Sequence, residues 1–107
     1  MQEVRQLAPR KARAWLEADR VQLLDVREHW EHALAHLPGA RLIPLGELPD
    51  RLGELIPAEP VLVYCHHGLR SWHASCMLMQ CGFRDVANLT GGIEAWSREI
   101  EPAIQRY

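Results

Sequence analysis

The sequence predicts an α/β fold built on an open, mainly parallel sheet with helices on both faces. Short apolar runs of strand length alternate with segments of helical spacing along the 107-residue chain. The run at residues 61–64 is continuously apolar and rich in β-branched residues, as is typical of a buried parallel strand. No repeat, low-complexity stretch or linker interrupts this pattern, so we expect residues 1–107 to form a single domain.

Five elements are predicted in the first half of the chain, each ended by a turn signal or a change of hydrophobic period. The first helix has Pro9 near its start, where the missing N–H of proline needs no partner. The strand that follows ends with the polar residues Asp25 and Arg27, and the last helix is interrupted by Pro49 and Gly53. In chain order, the predicted elements are helix 9–18, strand 21–27, helix 28–35, strand 40–43 and helix 45–56.

The second half of the chain continues the alternation. A buried strand ends just before Cys65, and a short turn with one glycine separates it from a helix whose apolar positions form one stripe. A turn, another strand and a last helix follow. The predicted segments are strand 61–64, helix 71–81, turn 82–83, strand 85–89 and a helix opened by Gly91 and Gly92.

Residues 64–71 read YCHHGLRS and place Cys65 between the end of a strand and the start of a helix. In an open parallel sheet, ligands bind beyond the carboxyl ends of the strands. The backbone N–H groups of such a turn and the helix dipole attract anions and favour the thiolate form of a cysteine. Arg70 is a cation where the dipole favours anions, which indicates an anionic partner, either a thiolate or a substrate. We therefore predict that Cys65 is a nucleophile rather than a small buried hydrophobic residue.

The composition argues against several classes of protein. The chain is 48% hydrophobic and 24% charged, and its net charge of −2 supports neither nucleic-acid nor membrane-surface binding. No apolar stretch approaches the roughly 20 residues of a membrane span, and the polar start lacks the core of a signal peptide. The three cysteines have no disulfide-framework spacing, so we expect a cytoplasmic protein in which Cys76 and Cys81 are buried and dispensable.

Four ordered blocks of the sequence resemble the single-domain rhodaneses, a family of sulfurtransferases. The blocks are LDVRE at residues 24–28, HLPGA at 36–40, the Cys65 loop, and GF at 82–83 followed by LTGG at 89–92 and Trp96. The resemblance implies the rhodanese-like fold and thiosulfate sulfurtransferase-type activity. In this family the loop cysteine takes a sulfane sulfur from a donor such as thiosulfate and forms a persulfide. It then passes the sulfur to cyanide, a thiol or a protein, without a metal or an organic cofactor.

The resemblance also implies roles for individual residues. Cys65 corresponds to the nucleophile, the loop N–H groups would cradle the persulfide, and Arg70 would help to hold a small anionic donor. Asp25 and Arg27 match a strand-end pair that either supports the loop or is a structural ion pair. Trp30 and Trp72 either border the pocket or belong to ordinary packing. The predicted substrate-binding residues are His66, His67, Gly68, Leu69, Arg70 and Ser71.

The loop departs from the family pattern at His66, where active members often have arginine. His66 is followed by His67, and both imidazoles are expected to be partly charged near neutral pH. Anion affinity would then fall as the pH rises from 6 to 8. The alternative is that both are solvated loop side chains.

Other functions remain open at this point. A cysteine phosphatase or arsenate reductase typically has five residues between cysteine and arginine, whereas four separate Cys65 from Arg70. A regulatory, non-catalytic module of the same fold is a second alternative, although such a module is expected to have lost the cysteine. His29, His32 and His36 have helical spacing, but no further ligand is evident nearby, so we predict no metal site.

Overall fold

The sheet is parallel throughout, as the apolar runs predict. The computed structural model describes residues 3–107, and within them five strands form one sheet in the order β1-β5-β4-β2-β3. All four strand pairs of this sheet are parallel. The central strand β4 is buried along its whole length, because it has neighbours on both edges and helices on both faces. The strands are β1 Arg5–Leu7, β2 Gln22–Asp25, β3 Arg41–Leu42, β4 Val61–Tyr64 and β5 Val86–Leu89.

Helices connect these strands and cover the sheet. The predicted α/β class, with a mainly parallel sheet and helices on both faces, is confirmed. Two 3₁₀ turns, Leu45–Glu47 and Leu52–Glu54, flank the shortest helix. No helix within residues 3–107 is long and apolar enough to cross a membrane. The helices are α1 Pro9–Ala18, α2 His29–Leu34, α3 Leu48–Arg51, α4 Leu69–Gln80 and α5 Gly92–Glu99.

Alternation along β4 divides the core into two clusters. Val61 and Val63 point toward the same face as Cys65, and this Cys65-side cluster also receives residues of α4. Leu62 and Tyr64 point to the other face, where the opposite cluster packs against α1 and α5. The same alternation therefore decides on which side of the sheet each strand-end side chain lies.

Several predicted boundaries differ from the structure. Strand β1 was not predicted because two of its three residues are exposed, so its apolar signal is weak. The predicted helix 45–56 is divided into short turns around α3, as Pro49 and Gly53 interrupt it. Helix α4 begins at Leu69, two residues earlier than predicted, and ends before Cys81. The expectation that the other two cysteines are buried was wrong: Cys81 is exposed and Cys76 is only partly buried.

Candidate functional site

The Cys65 side chain lies directly beyond β4, at the start of the loop that leads into α4. The residue is only 1% exposed. Its Sγ accepts the backbone N–H of Gly68 at 3.1 Å and that of Ser71 at 3.3 Å. Ser71 is in the first turn of α4, so the second donor is one of the free N–H groups at the helix N-terminus. Both N–H groups therefore point at the sulfur and can donate to a thiolate or to a sulfur atom bound to it.

A hydroxyl group next to the sulfur has a defined direction. Ser71 Oγ lies 3.3 Å from Cys65 Sγ and donates to Asn88 Oδ1. The Asn88 amide is oriented by its NH₂ group, which donates to the Gly68 carbonyl at 3.2 Å. Because the single hydroxyl hydrogen of Ser71 is used on Asn88, Ser71 Oγ can accept the hydrogen of a neutral thiol. Asn88 was not predicted, although it is a polar residue within an otherwise apolar strand.

Two glycines allow the loop to take its shape. Gly68 has φ of +113°, and it caps α4 in a backbone region that side chains disfavour. Gly92 has φ of +61°, and a Cβ there would overlap the carbonyl groups of Cys65 and His66. This close approach lets Ile93 N–H donate to the Cys65 carbonyl at 2.9 Å. The N-terminus of α5 therefore fixes the position of the loop through the carbonyl group of Cys65.

Arg70 is already paired with a carboxylate. Its guanidinium binds both oxygens of Glu31, at 2.6 Å and 2.9 Å, and the Glu31 side chain is 4% exposed. The hydrogen bonds from Arg70 are the main reason why the pKa of Glu31 falls to about 2. Glu31 raises the pKa of Arg70 above its ordinary range, and the nearby Cys65 adds a smaller effect. Arg70 is thus a fixed cation close to the sulfur, with its direction set by Glu31, a residue that was not predicted.

The strand-end pair Asp25 and Arg27 is a buried structural ion pair, one of the two predicted alternatives. Both side chains are 0% exposed, and Arg27 binds Asp25 through Nε at 2.9 Å and Nη2 at 2.8 Å. Burial opposes ionisation of Asp25, but the hydrogen bonds from Arg27 and His32 prevail and lower its pKa. Tyr64, from the opposite cluster, also donates to Asp25 at 3.1 Å. The pair therefore lies on the face of the sheet away from the Cys65 side chain.

An aromatic side chain near the end of the described chain connects these parts. The Tyr107 hydroxyl accepts from Arg27 Nη1 at 2.8 Å and donates to Glu31 Oε2 at 2.7 Å. Its ring stacks on His66, with the centroids 3.9 Å apart and the planes 11° apart. Trp30 packs edge-on against Tyr107 at 5.9 Å and is 63% exposed. No sequence signal pointed to Tyr107, because its contacts exist only in the folded chain.

The two loop histidines are stacked rather than separately solvated. The His66 ring lies between His67, at 3.9 Å, and Tyr107. Burial, followed by the neighbouring His67, lowers the pKa of His66 below its ordinary value of 6.5. The lowered pKa leaves His66 less charged near neutral pH than an ordinary imidazole. The fall in anion affinity between pH 6 and 8 stays a prediction. His67 is exposed, so its stack on His66 covers only one side of its ring.

The other predicted loop residues form an exposed rim. Leu69 is 69% exposed, and Trp72, one turn into α4, is 37% exposed. Single exposed apolar side chains are common on protein surfaces, so their exposure does not by itself indicate a ligand. The pocket-bordering role predicted for Trp72 stays a prediction, since the described contacts leave its ring partly open.

The histidines of the first half do not converge on one point. Helix α2 ends two residues before His36, so the continuous face assumed for the three histidines does not form. His32 Nδ1 lies 2.8 Å from Asp25, whereas His29 Nε2 lies 3.4 Å from Glu47. His36 stacks on His32 and contacts the His32 carbonyl through Nδ1. Each ring is engaged with a different partner, which does not suit a shared metal ion.

A second group of potential ligands lies beside the loop. His66, His67 and Glu94 each have a donor atom within 4.8 Å of the others. The histidine rings are stacked within 24° of parallel, so their in-plane lone pairs point side by side rather than toward one ion. The second oxygen of Glu94 also lies 3.7 Å from Arg98 and 3.6 Å from Arg106. Two cations at the carboxylate disfavour a metal there.

Comparison with known proteins gives consistent matches along most of the chain. The family model described as rhodanese-like domain matches residues 8–99. The chain is 36% identical over 104 residues to the probable adenylyltransferase/sulfurtransferase MoeZ of Mycobacterium tuberculosis, and this match covers 94% of the chain. It is also 36% identical over 97 residues to thiosulfate sulfurtransferase GlpE of Pseudomonas paraeruginosa, covering 91% of this chain and 86% of that protein.

The chain spans only 26% of MoeZ. Among solved structures, a rhodanese-like domain protein from Staphylococcus aureus superposes with a TM-score of 0.83 at 30% identity. The superposition covers 97% of this chain and 99% of that one. The family match over residues 8–99 includes the Cys65 loop and strands β2 to β5 of the sheet that positions it.

Proposed function

The chain belongs to the rhodanese-like domain family, and we propose that it is a sulfurtransferase in which Cys65 carries a sulfane sulfur. Its relatives include proteins named as sulfurtransferases. The proposed donor is a small anion such as thiosulfate, and the proposed acceptor is cyanide, a thiol or a protein. The single observation that carries the proposal is the position of Cys65 Sγ, which accepts two backbone N–H groups beside Arg70.

The first chemical step uses the thiolate of Cys65. Sγ attacks the sulfane sulfur of thiosulfate, a new S–S bond forms, and the bond to the sulfonate group breaks to release sulfite. Sulfite leaves with the electron pair of the broken bond, so the donors that stabilise the thiolate also favour an anionic donor and its departing group. Arg70 supplies positive charge at this point without a proton transfer, since its guanidinium is always ionised.

The second step regenerates the free thiolate of Cys65 from its persulfide. The acceptor nucleophile attacks the outer sulfur of the persulfide, a bond between acceptor and sulfur forms, and Cys65 leaves as a thiolate. The N–H groups of Gly68 and Ser71 then donate hydrogen bonds to the restored thiolate. Because the same N–H groups stabilise the start and the end of the cycle, no further acid or base is required for Cys65.

Two features favour sulfur transfer over phosphate chemistry. Four residues separate Cys65 from Arg70, one fewer than is typical of cysteine phosphatases, so the loop is narrower. Arg70 is also bound bidentately by Glu31, so it contributes its charge to the site and not the free pair of N–H donors with which a phosphatase arginine binds the transferred phosphoryl group. A regulatory module without catalysis remains the alternative that the experiment below separates.

The test is intact-mass spectrometry after incubation with thiosulfate. We expect wild-type protein to gain the mass of one sulfur atom, which cyanide or dithiothreitol then removes. The Cys65→Ser variant should gain nothing although it retains Cys76 and Cys81. Matched control variants Cys76→Ser and Cys81→Ser should gain sulfur as wild type does, which excludes uptake by the exposed thiol.

Each alternative has its own outcome. A gain with a persulfide donor but not with thiosulfate would keep Cys65 as carrier and change the donor. No gain with either donor would support the regulatory module, and hydrolysis of an aryl phosphate by wild type but not by Cys65→Ser would support a phosphatase. Loss of uptake in Cys76→Ser would contradict a mechanism that uses one cysteine.

A further inference from the structure

The nucleophile and the buried ion pair lie on opposite faces of the sheet. Cys65 belongs to one core cluster, and Tyr64, which binds Asp25, belongs to the other. Arg27 therefore reaches the neighbourhood of the nucleophile only around the carboxyl end of the sheet. The hydroxyl of Tyr107 occupies that end and joins Arg27 to Glu31.

The direction of each hydrogen bond through Tyr107 follows from its partners. Arg27 can only donate, and Glu31, whose pKa is about 2, can only accept at neutral pH. Burial raises the pKa of Tyr107 to about 12, so the hydroxyl keeps its hydrogen. Tyr107 thus accepts from Arg27 and donates to Glu31, and Glu31 in turn accepts both bonds from Arg70.

The segment that carries this side chain is anchored to α5. Trp96 Nε1 donates to Glu101 at 2.9 Å, and Ser97 Oγ donates to the Ile104 carbonyl at 2.7 Å. The side chains of Ile104 and Tyr107 pack against the opposite cluster. These contacts fix the segment that carries Tyr107, and its ring then stacks on His66 of the loop from a fixed position.

We propose that Tyr107 is a positioning residue for the chemistry of Cys65. Its ring stacks on His66, which follows the nucleophile, and its hydroxyl binds Glu31, which holds the Arg70 guanidinium where its charge acts on Cys65. The inference deepens the proposed function and rests on it, because it assigns to Arg70 the selection of anionic reagents. Tyr107 acts as a clamp, meaning that it fixes the loop, and not as a gate that would block access to Cys65. It packs against the cluster on the face of the sheet opposite Cys65.

The test compares alkylation of Cys65 by iodoacetate, an anion, with alkylation by iodoacetamide, a neutral molecule of almost the same shape. A cation fixed beside the sulfur favours the anionic reagent, so the ratio of the two rates reports the position of Arg70. In Tyr107→Phe, which keeps the ring and removes the hydroxyl, we expect this ratio to fall by about threefold to tenfold, the range of an ordinary hydrogen bond. In Tyr107→Leu, both rates should also fall, because the loop loses the stack on His66.

Two further variants calibrate the ratio. Ile104→Val trims the same segment without touching the partners of Tyr107, and it should leave the ratio unchanged. Arg70→Gln removes the cation and should abolish the preference for iodoacetate. The measurement is made on Cys65 in the full chain with folding checked by circular dichroism, and the Cys65 peptide is quantified by mass spectrometry so that Cys81 does not contribute.

Defined outcomes would overturn the inference. An unchanged ratio in Tyr107→Phe would show that Tyr107 does not aim Arg70, and faster reaction of both reagents in Tyr107→Leu would identify a gate instead of a clamp. The alkylation assay needs no sulfur transfer. Wild-type protein that prefers iodoacetate but takes up no sulfur would therefore refute the proposed function and leave the role of Tyr107 intact.

Discussion

A buried carboxylate is the most informative single residue of the site. Glu31 is 3% exposed and accepts hydrogen bonds from Arg70, Tyr107 and the backbone N–H of Glu28. A carboxylate is costly to bury unless such donors surround it. Because Arg70 is the principal donor, the pKa of Glu31 falls from its ordinary value of 4.5 to about 2. The ion pair that holds Arg70 therefore also contributes to the stability of the fold.

Replacing Glu31 by glutamine tests this contribution. A carboxylate with a lowered pKa stabilises the folded state above its unfolded pKa, and the stabilisation is lost as the pH falls from about 5 to about 2. We expect Glu31→Gln to lower the free energy of unfolding at pH 7 by about 2 kcal/mol, reduced from the full shift because Arg70 is partly solvated. Urea unfolding of wild type and Glu31→Gln at pH 7 and pH 3 measures this difference in the free energy of unfolding.

The variant should also lose the part of the difference between the two pH values that Glu31 contributes, whereas Asp25, whose pKa is lowered too, keeps its own contribution. A matched control is Glu17→Gln, which removes an exposed carboxylate of α1 and should unfold as wild type does at both pH values. An equal pH dependence in Glu31→Gln and wild type would contradict the role assigned to Glu31.

At the scale of secondary-structure elements, the start of α5 shapes the loop. Its first N–H groups bind the carbonyls of Cys65 and His66, and the contact is close because Gly92 has no side chain. The sequence motif that opens α5 therefore serves the loop after β4, although 26 residues of chain order separate Gly92 from His66. The helix and the loop behave as one unit of the site.

Gly92→Ala is predicted to disturb that unit. Positive φ disfavours alanine, and the added Cβ would overlap two carbonyl groups, so we expect a loss of about 2 kcal/mol or more in the free energy of unfolding. The displaced loop should also take up sulfur more slowly in the mass assay. Gly46→Ala is the control, since a Cβ at Gly46 has nothing within 4 Å. Equal stability of both variants would show that α5 does not hold the loop.

At the scale of the whole molecule, strand β4 joins two hydrophobic clusters into one structure. Its side chains alternate between the Cys65-side cluster and the opposite cluster. Unfolding of β4 would therefore disrupt both clusters at once. The nucleophile follows this strand directly. The position of Cys65 therefore depends on packing at both faces of the sheet.

Truncating one β4 side chain on each face tests this coupling. We expect Leu62→Ala to lower the free energy of unfolding by about 2–5 kcal/mol and Val63→Ala by a somewhat smaller amount. Both variants should keep a single transition in urea, with tryptophan fluorescence and far-UV circular dichroism changing together. The exposed control Leu34→Ala should cost about 1 kcal/mol or less. Separate transitions for the two probes would show that the clusters unfold independently.

The main elements and the loop were predictable because they are local. The continuous apolar run of β4 has the composition of a buried parallel strand, and Gly68 marks the turn before α4. Strand β1 was not predictable, since it is short, mostly exposed and stabilised by pairing with a strand eighty residues later, as the register of Arg5 with Ala87 shows. The start of α4 at Leu69 depended on the left-handed cap at Gly68.

The sequence by itself determined the α/β class, the rhodanese-like resemblance and the choice of Cys65, because strand and helix periods, turn residues and the loop are written over a few neighbouring residues. Only the tertiary structure decided that Arg70 is paired with Glu31, that Asp25 and Arg27 lie on the opposite face, and that Tyr107 joins them. These contacts link residues up to 80 positions apart. Such pairings depend on how the helices and strands pack and on which charged side chains are buried together. Neither can be predicted from a few neighbouring residues.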